Sequence, residues 1–380
     1  MQKLAIIGAS YLQLPLVKKA KEMGLHTICF AWAEGAVCKD EADEFFPISI
    51  VEKEQILEVC REKQIDGICT IASDVAAPTV AYVAEKMGLV GNTYEVALRA
   101  NNKYLMRQAF SSAGIPCPAY QKITAYGQLD SKALRFPVIV KPTDRSGSLG
   151  ISKVGRLEDL QAAIEVALSC SFKHEAIVEE YIEGREISVE FISYQGKHFP
   201  LQITDKVTTG APHFVELEHH QPADFTKEQY VRIYDLTKKA LDALGVTNGA
   251  SHSEYKITTD GRIYVMEIGA RMGGDFIGSD LVHLSTGYDY LKGVIDVALG
   301  NFGEPVFGER HFAGVYFLCE ETKHLQTIIK EAKLPQIVRA EITDEVLRPV
   351  KCSADRSGYL IYQGNKKLII IHKKQTFKKI

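Results

Sequence analysis

Residues 265–274 read VMEIGARMGG. Glu267 ends an apolar run of the kind that forms a buried strand, and Arg271 follows in a turn that contains glycines. A charged side chain at the end of a buried strand costs free energy unless it has a partner or faces a cleft. Two interpretations are therefore open. The stretch is either an ordinary surface hairpin or part of a site that holds a metal ion and phosphate groups.

A second carboxylate, Glu254, lies in the preceding stretch GASHSEYKI. The turn sequence TTDGR separates the two stretches, and Asp260-Gly261 within it is typical of a β-hairpin, so the strands should pair antiparallel. This pairing can bring Glu254 and Glu267 to neighbouring positions on one face. Neighbouring carboxylates repel unless a cation lies between them, and oxygen ligands beside phosphate suit Mg²⁺. Arg271 would then stabilise the anionic centre that develops beside the metal.

The N-terminal part of the chain alternates predicted strands with predicted helices. The strands are KLAIIGAS, HTICFAW and DGICTIAS, and the helices between them are YLQLPLVKKAKEMG and EKEQILEVCREKQ. This order predicts a doubly wound parallel sheet whose strand ends open on a ligand crevice. GASYLQ lacks the third glycine of a dinucleotide fingerprint, so a tight turn or a substrate contact is favoured over NAD binding. Residues predicted to line the substrate pocket are Tyr11, Ser73, Asp74, Met272 and Asp275.

Lys141 ends the predicted strand FPVIVKP and precedes the loop TDRSGSLG. A lysine that leaves a buried strand beside small residues can hold phosphate oxygens as a point charge. Gly147 would let backbone N–H groups approach the phosphate, and Ser146 and Ser148 can donate their hydroxyls. By itself this motif also fits a solvated hairpin.

The stretch VEEYIEGRE (178–186) places Glu179, Glu180 and Glu186 around an apolar strand. Carboxylates in such a place need a cleft or solvent. An extended segment of this kind offers backbone N–H and C=O groups to the edge of an adenine, and a carboxylate can accept ribose hydroxyls. An edge strand that carries solvated acids is the alternative.

Together these motifs resemble the ATP-grasp superfamily in order and approximate spacing, from about Lys3 to Gly287. The resemblance implies an ATP-grasp fold that binds ATP between two β-rich lobes. It implies phosphate binding by Lys103 and Lys141, adenine and ribose contacts by Glu179, the Glu180 and Ile182 backbone and Glu186, and magnesium ligation by Glu254 and Glu267. ATP and Mg²⁺, for which Mn²⁺ can substitute, are the implied cofactors.

A narrower resemblance lies in FVELEHHQP and its spacing to the metal strands. Glu216, His219 and Arg271 fall at intervals similar to those of bacterial L-amino-acid ligases of the dipeptide-forming, bacilysin-synthesis type. The resemblance implies that Glu216 faces the amino group of the activated amino acid. It implies that His219 and Arg271 face the acyl phosphate and the tetrahedral intermediate, as suits donors beside a developing oxyanion. Because His220 is adjacent, the spacing alone does not decide which of the two histidines matches this position.

One position departs from the superfamily pattern. Many ATP-grasp enzymes have Asn two residues after the second metal glutamate, and this chain has Gly269 there. One ligand of a second Mg²⁺ is therefore missing or replaced.

The motifs predict an ATP-dependent ligase that joins a carboxylate, expected to be an amino acid, to an amine through an acyl phosphate, releasing ADP and phosphate. Two alternatives stay open. One is a bicarbonate- or ribosylamine-using enzyme of the biotin carboxylase or purine type, and the other is an ATP-binding regulator without turnover. The expected partners are a small-molecule carboxylate and amine, and similar proteins are usually homodimers.

The predicted fold class is α/β and α+β, in four parts. Residues 1–98 form the N-terminal substrate-side domain, 99–183 the linker helices and small lobe, 184–310 the large lobe with the metal site, and 311–380 a small C-terminal α+β region. A chain of 380 residues is too long for one core.

The bulk composition is that of a globular protein and excludes several classes. A net charge of −3 gives no general attraction to nucleic acid or acidic membranes. The eight cysteines are scattered without CxxC pairs, which indicates reduced core residues. Met1 leads into KLAIIGAS without a signal-peptide pattern, and no apolar run is long enough to span a bilayer. We therefore expect a cytoplasmic protein.

Overall fold

The computed structural model describes residues 1–145, 147, 149–331 and 334–370. Its first unit is a parallel sheet with strand order β3-β2-β1-β4. The strands are β1 (Lys3–Ile7), β2 (His26–Phe30), β3 (Glu44–Phe46) and β4 (Gly67–Cys69), and the helices are α1 (Leu14–Glu22), α2 (Lys53–Lys63), α3 (Ala77–Met87), α4 (Tyr94–Asn101) and α5 (Lys103–Ser112). The predicted parallel sheet is confirmed. The short edge strand β3, whose residues are only half-buried, was not predicted.

Alternation along β1 explains the two layers of helices. Leu4 and Ile6 point to the core that contains α1, whereas Ala5 and Ile7 point to the core that contains α2 and α3. Successive side chains of a strand lie on opposite faces of the sheet. A strand that is apolar on both faces therefore needs helices on both sides, as in doubly wound folds.

The second unit is a four-stranded antiparallel sheet with order β5-β8-β6-β7. Its elements are β5 (Tyr120–Ile123), β6 (Val138–Pro142), β7 (Ser152–Val154), α6 (Leu160–Cys170) and β8 (Ala176–Glu180). Leu160, Ile164 and Ala167 of α6 pack on Val138 and Val140 of β6. This sheet and helix form the small lobe.

The third unit is an eight-stranded sheet with order β13-β12-β9-β10-β11-β14-β16-β15. Its strands are β9 (Arg185–Tyr194), β10 (Lys197–Thr208), β11 (Glu216–Gln221), β12 (Gly249–Ile257), β13 (Ile263–Gly269), β14 (Phe312–Leu318), β15 (Ile337–Ile342) and β16 (Gly358–Gly364). The helices are α7 (Lys227–Leu244), α8 (Val282–Thr286), α9 (Tyr290–Ala298) and α10 (Leu325–Glu331). The strands of residues 311–370 belong to the same eight-stranded sheet as β9 to β13, because β14 pairs with β11. The division into four parts otherwise stays a prediction.

The stretch around FVELEHHQP is polar in sequence but lies inside the fold. Its residues form β11, which pairs with β10 and β14 inside the large sheet. The strand buries His219, His220 and Gln221. Gln221 donates to Thr204 Oγ1 at 2.9 Å and His220 contacts Tyr362 and Glu218, which compensates the burial of these two side chains. Among the described helices, none is long and apolar enough to cross a membrane.

Candidate functional site

The site is built around the hairpin of β12 and β13. Glu254 lies directly opposite Glu267 in the antiparallel register, as the turn sequence predicts. Both side chains line a cavity of about 340 Å³ together with Glu216, His219 and Arg271. Five of the residues predicted for metal binding, substrate binding and catalysis are thus brought to one cavity from three different segments of the chain.

Lys206 of β10 is a central residue that the sequence analysis missed. Its ammonium lies 2.5 Å from Glu254 Oε1 and 3.4 Å from Glu216 Oε1, and only 7% of the side chain is exposed. Burial disfavours the charge, but Glu254 and Glu216 outweigh it and hold the pKa of Lys206 above its ordinary value. A lysine within the strand pattern LQITDKVTT was the only signal, and that pattern does not show which face is buried.

His252 and Glu190 extend this row of charges and were also missed. The imidazole Nδ1 of His252 contacts Glu190, and its Nε2 lies 3.4 Å from Glu254 Oε1. Burial lowers the pKa of His252, but Glu190 and Glu254 outweigh it and raise the pKa to about 9. The second oxygen of Glu190 accepts the backbone N–H of Gly273 at 3.1 Å. We infer an imidazolium that is held between two carboxylates.

Arg271 is held by a carboxylate from the N-terminal unit. Its Nε and Nη2 donate to Asp74 Oδ1 and Oδ2 at 2.8 and 2.7 Å. Both side chains are about 85% buried. Burial disfavours the charged guanidinium, but Asp74 outweighs it and raises the pKa of Arg271 further above its ordinary value. Asp74 and Asp275 of the predicted pocket residues do line the cavity.

The two predicted phosphate lysines have different surroundings. Lys103 Nζ donates to the carbonyl oxygen of Arg145 at 2.7 Å and to Glu267 Oε1 at 3.0 Å, and it lines the main cavity. Lys141 Nζ lies 2.7 Å from Glu179 Oε2. Burial lowers the pKa of Lys141, and Glu179 opposes this shift.

Glu179 was predicted to contact adenine, but its carboxylate is used inside the protein. It is 1% exposed and forms ion pairs with Lys141 and with Arg107, whose Nε lies 2.8 Å from Glu179 Oε1. Burial alone would raise the pKa of Glu179, but Arg107 and Lys141 hold it below its ordinary value. Arg107, fully buried in α5, was not singled out from the sequence.

Glu180, Ile182 and Glu186, which were predicted to contact adenine and ribose, line a second cavity of about 150 Å³. Tyr181 and Phe214 contribute aromatic surface to the same cavity. Glu186 Oε1 lies 3.0 Å from Lys256 Nζ. The shared lining residues of the two cavities are Ile151, Lys206, Glu254 and Glu267. The two cavities therefore adjoin at these four residues.

The structure separates His219 from His220. Successive residues of β11 face opposite sides, and His219 lines the main cavity while His220 contacts Tyr362 and Glu218 on the other face. His219 is 1% exposed, and neither ring nitrogen has a hydrogen-bond partner among the described residues. Its Nε2 lies 3.7 Å from Asp275 Oδ2. Burial lowers the pKa of His219, which favours the neutral imidazole.

The remaining predicted residues are those expected to bind phosphate and metal. Gly147 lines the main cavity with φ +66°, whereas Ser146 and Ser148 lie outside the described residues. Within the described ranges, no group of three or more His, Cys, Asp or Glu side chains gathers as metal ligands. Glu254 and Glu267 alone nevertheless fit Mg²⁺, which takes few protein ligands beside phosphate oxygens and water.

Comparison with known proteins agrees with this geometry. A model of the ATP-grasp domain matches residues 134–280. Alanine–anticapsin ligase of Bacillus subtilis (strain 168) is 29% identical over 245 residues, which cover 58% of this chain and 51% of that protein. The chain thus spans about half the length of the curated relatives it matches.

Two solved structures show the same fold over almost the whole chain. The L-amino acid ligase from Bacillus licheniformis superposes with a TM-score of 0.79 at 23% identity, covering 96% of this chain and 94% of that one. Phosphoribosylglycinamide synthetase from Anaerococcus prevotii gives a TM-score of 0.76 at 23% identity with the same coverage. The predicted ATP-grasp fold and the resemblance to L-amino-acid ligases are confirmed. Residues 134–280 therefore match the ATP-grasp domain, the chain has the ATP-grasp fold, and it is similar to L-amino-acid ligases.

Proposed function

We propose that the protein is an ATP-dependent ligase that forms an amide or peptide bond between an amino acid carboxylate and an amine, with release of ADP and phosphate. The observation that carries this proposal is that the two cavities adjoin. Lys206, Glu254 and Glu267 line both the cavity of the predicted adenine contacts and the cavity of Glu216, His219 and Arg271. A phosphate group at this junction would lie between a nucleotide on one side and a carboxylate acceptor on the other.

On the nucleotide side, the backbone of Glu180 and Ile182 would hold adenine and Glu186 would accept ribose hydroxyls. Lys103 and Lys141 would neutralise the phosphates, since lysine acts as a mobile point charge. Lys206 lies where the two cavities adjoin, and Glu254 and Glu216 stabilise its charged form. It is suited to stabilise the transferring phosphoryl group, where negative charge spreads over the equatorial oxygens.

Glu254 and Glu267 would hold Mg²⁺, for which Mn²⁺ would substitute. When bound, the metal neutralises phosphate charge and orients the terminal phosphate for in-line transfer. Lys206 contacts Glu254 at 2.5 Å and Lys103 contacts Glu267 at 3.0 Å. These contacts keep the two facing carboxylates compensated by positive charge.

On the substrate side, Glu216 would bind the ammonium group of the amino acid. Arg271 would stabilise the acyl phosphate and the oxyanion that forms when the amine attacks it. His219 is buried with both ring nitrogens available, so it can donate one N–H to the acyl phosphate or accept a proton from the amine. Similar enzymes are usually homodimers, and we extend that expectation to this protein.

The first test is phosphate release from ATP with Mg²⁺, using single amino acids, amino-acid pairs and bicarbonate in separate reactions. Release that depends on amino acids, with a new amide mass by mass spectrometry, is the expected result. Glu267→Ala is the inactive control: it should abolish ADP formation while the circular dichroism spectrum stays that of the wild type. Glu165→Ala, an exposed substitution on α6, is the matched active control.

Other outcomes would contradict the proposal. A response to bicarbonate alone would assign the protein to the carboxylase type. Phosphate release that stays near wild type in Glu267→Ala would remove Glu267 from the metal site. ATP binding without phosphate release, for every acid and amine tried, would favour an ATP-binding regulator.

A further inference from the structure

The position of Gly269 raises a steric question that the sequence alone does not answer. Gly269 ends β13, two residues after Glu267, where many ATP-grasp enzymes carry a metal-ligating Asn. A Cβ atom built on Gly269 would lie 2.7 Å from Asp74 Oδ1 and 3.2 Å from Arg271 Cζ. Its φ is outside the left-handed region, so the backbone would accept another residue. Glycine is required here because the Asp74–Arg271 ion pair fills the space of a side chain.

The ion pair is fixed by the junction of two units. Ile71 and Met272 form a parallel bridge, and the N–H of Ala72 donates to the Met272 carbonyl at 3.1 Å. Gln13 Nε2 donates to the Ile71 carbonyl at 2.7 Å and so ties this segment to the loop after β1. Asp74 therefore reaches Arg271 from a segment whose own backbone is held.

The geometry determines which donors Arg271 can offer to a ligand. Asp74 accepts from Nε and Nη2, and the Met272 carbonyl accepts from Nη1 at 3.2 Å. An arginine has five N–H groups. One N–H on Nη1 and one on Nη2 therefore remain available for a ligand. Because the guanidinium is planar and bound bidentately, its plane is set by the carboxylate. The free N–H groups belong to a residue that lines the substrate cavity.

We propose that Asp74 is a positioning residue for Arg271, and that Gly269 is needed to admit this ion pair beside Glu267. The role in turnover rests on the ligase reaction proposed above. The N-terminal unit thereby contributes to the reaction centre: it orients the arginine that meets the acyl phosphate. A fixed ion pair therefore occupies the space of the side chain that many ATP-grasp enzymes carry at this position.

The steric part is tested in the ligand-free protein with Gly269→Ala, Asp74→Ala and the double variant. We expect Gly269→Ala to lower the midpoint of thermal unfolding by at least about 2 °C, and to cost little more once Asp74 is alanine. Gly155→Ala, where a Cβ meets no atom within 4 Å, is the control and should leave the midpoint unchanged. An equal cost of Gly269→Ala with and without Asp74 would overturn the steric assignment.

The positioning part is tested by steady-state kinetics of Asp74→Asn, well below its unfolding midpoint. We expect kcat to fall by about 100-fold, as for a misplaced catalytic group, with the KM for ATP changed less than about twofold. In an Arg271→Lys background the same change should have little further effect, because the bidentate partner is already lost. Asp235→Asn, an exposed substitution, should behave as the wild type.

A full effect of Asp74→Asn in the Arg271→Lys background would show that Asp74 does not act through Arg271. A kcat that stays at the wild-type value in Asp74→Asn would overturn the positioning role as well. If no amino acid supports phosphate release, the proposed function fails. The unfolding experiment still decides whether the ion pair excludes a side chain at Gly269.

Discussion

At the scale of single residues, the site is a row of alternating charges rather than a set of independent groups. Glu190, His252, Glu254, Lys206 and Glu216 follow one another, each in contact with the next. Burying one of these charges alone would cost several kcal/mol, roughly, whereas neighbours of opposite sign compensate each other. A substitution within the row therefore affects its neighbours as well as its own ligand.

Replacement of Glu216 by alanine should raise the KM for the amino acid by about 10–100-fold, the loss expected for a hydrogen bond to a charged group. The KM for ATP should change little, because Glu216 lines the larger cavity and not the cavity of the predicted adenine contacts. Glu216→Gln keeps the shape and removes the charge, so it should show most of the same loss. Steady-state kinetics with each substrate varied in turn measures both constants. An unchanged amino-acid KM would contradict the ammonium-binding role.

At the scale of elements, Glu179 ties three of them together. It lies on β8 and forms ion pairs with Arg107 of α5 and Lys141 of β6. Both α5 and the small sheet thus depend on one buried carboxylate.

Replacement of Glu179 by glutamine should lower the free energy of unfolding by about 3–5 kcal/mol, because two buried cations lose their partner. Urea denaturation measures this loss, with Glu180→Gln on the same strand as the matched variant. Glu180 is only half-buried, so its stability cost should be small. A Glu179→Gln protein of wild-type stability that binds ATP weakly would instead support the predicted adenine contact.

The histidines of β11 predict a pH dependence of stability. Burial holds the pKa values of His219 and His220 below the ordinary value of about 6.5. The unfolded chain then binds more protons than the folded one, so this contribution is fully present above about pH 6.5 and is lost as pH falls through the folded pKa values. His252, with its raised pKa of about 9, contributes in the opposite sense: its stabilisation becomes complete as pH falls below about 6.5 and is lost as pH rises towards 9, so it opposes the histidines of β11 only slightly in this interval.

We therefore expect the midpoint of thermal unfolding to fall between about pH 6.5 and pH 5. His220→Gln should flatten this slope by removing one of the two groups. Calorimetry in buffers of matched ionic strength measures it. A midpoint that rises over this interval would contradict the assignment of neutral histidines in β11.

At the scale of the whole molecule, the two cavities share residues, so their ligands should affect each other. A non-hydrolysable ATP analogue with Mg²⁺ should tighten amino-acid binding by about fivefold or more, within the usual range of coupling between sites. Isothermal titration with and without the analogue measures the factor. Lys206→Met removes the cation at the junction and should reduce the coupling. Equal affinities with and without the analogue would mean that the cavities act independently.

Much of this protein is determined by local sequence. The apolar strands and the helices between them define the parallel sheet, and the Asp260-Gly261 turn places Glu254 opposite Glu267. These features follow from short-range periodicity and turn chemistry, which depend on neighbouring residues only. The order of the motifs predicted to bind phosphate, adenine and metal was likewise sufficient to indicate the resemblance to ATP-grasp proteins.

Other features were decided only by the tertiary structure. Lys206, His252 and Asp74 gain their roles from partners that are distant in sequence, and Arg271 meets Asp74 across 197 residues. The polar stretch ELEHHQ becomes a buried strand because β10 and β14 enclose it and because His220 and Gln221 find hydrogen-bond partners. A local pattern does not contain the burial or the distant partner, and those two quantities set the free energy of a charged group. For this reason the sequence predicts Glu216 and Glu254, while only the fold shows that Lys206 and His252 are the cations that face them.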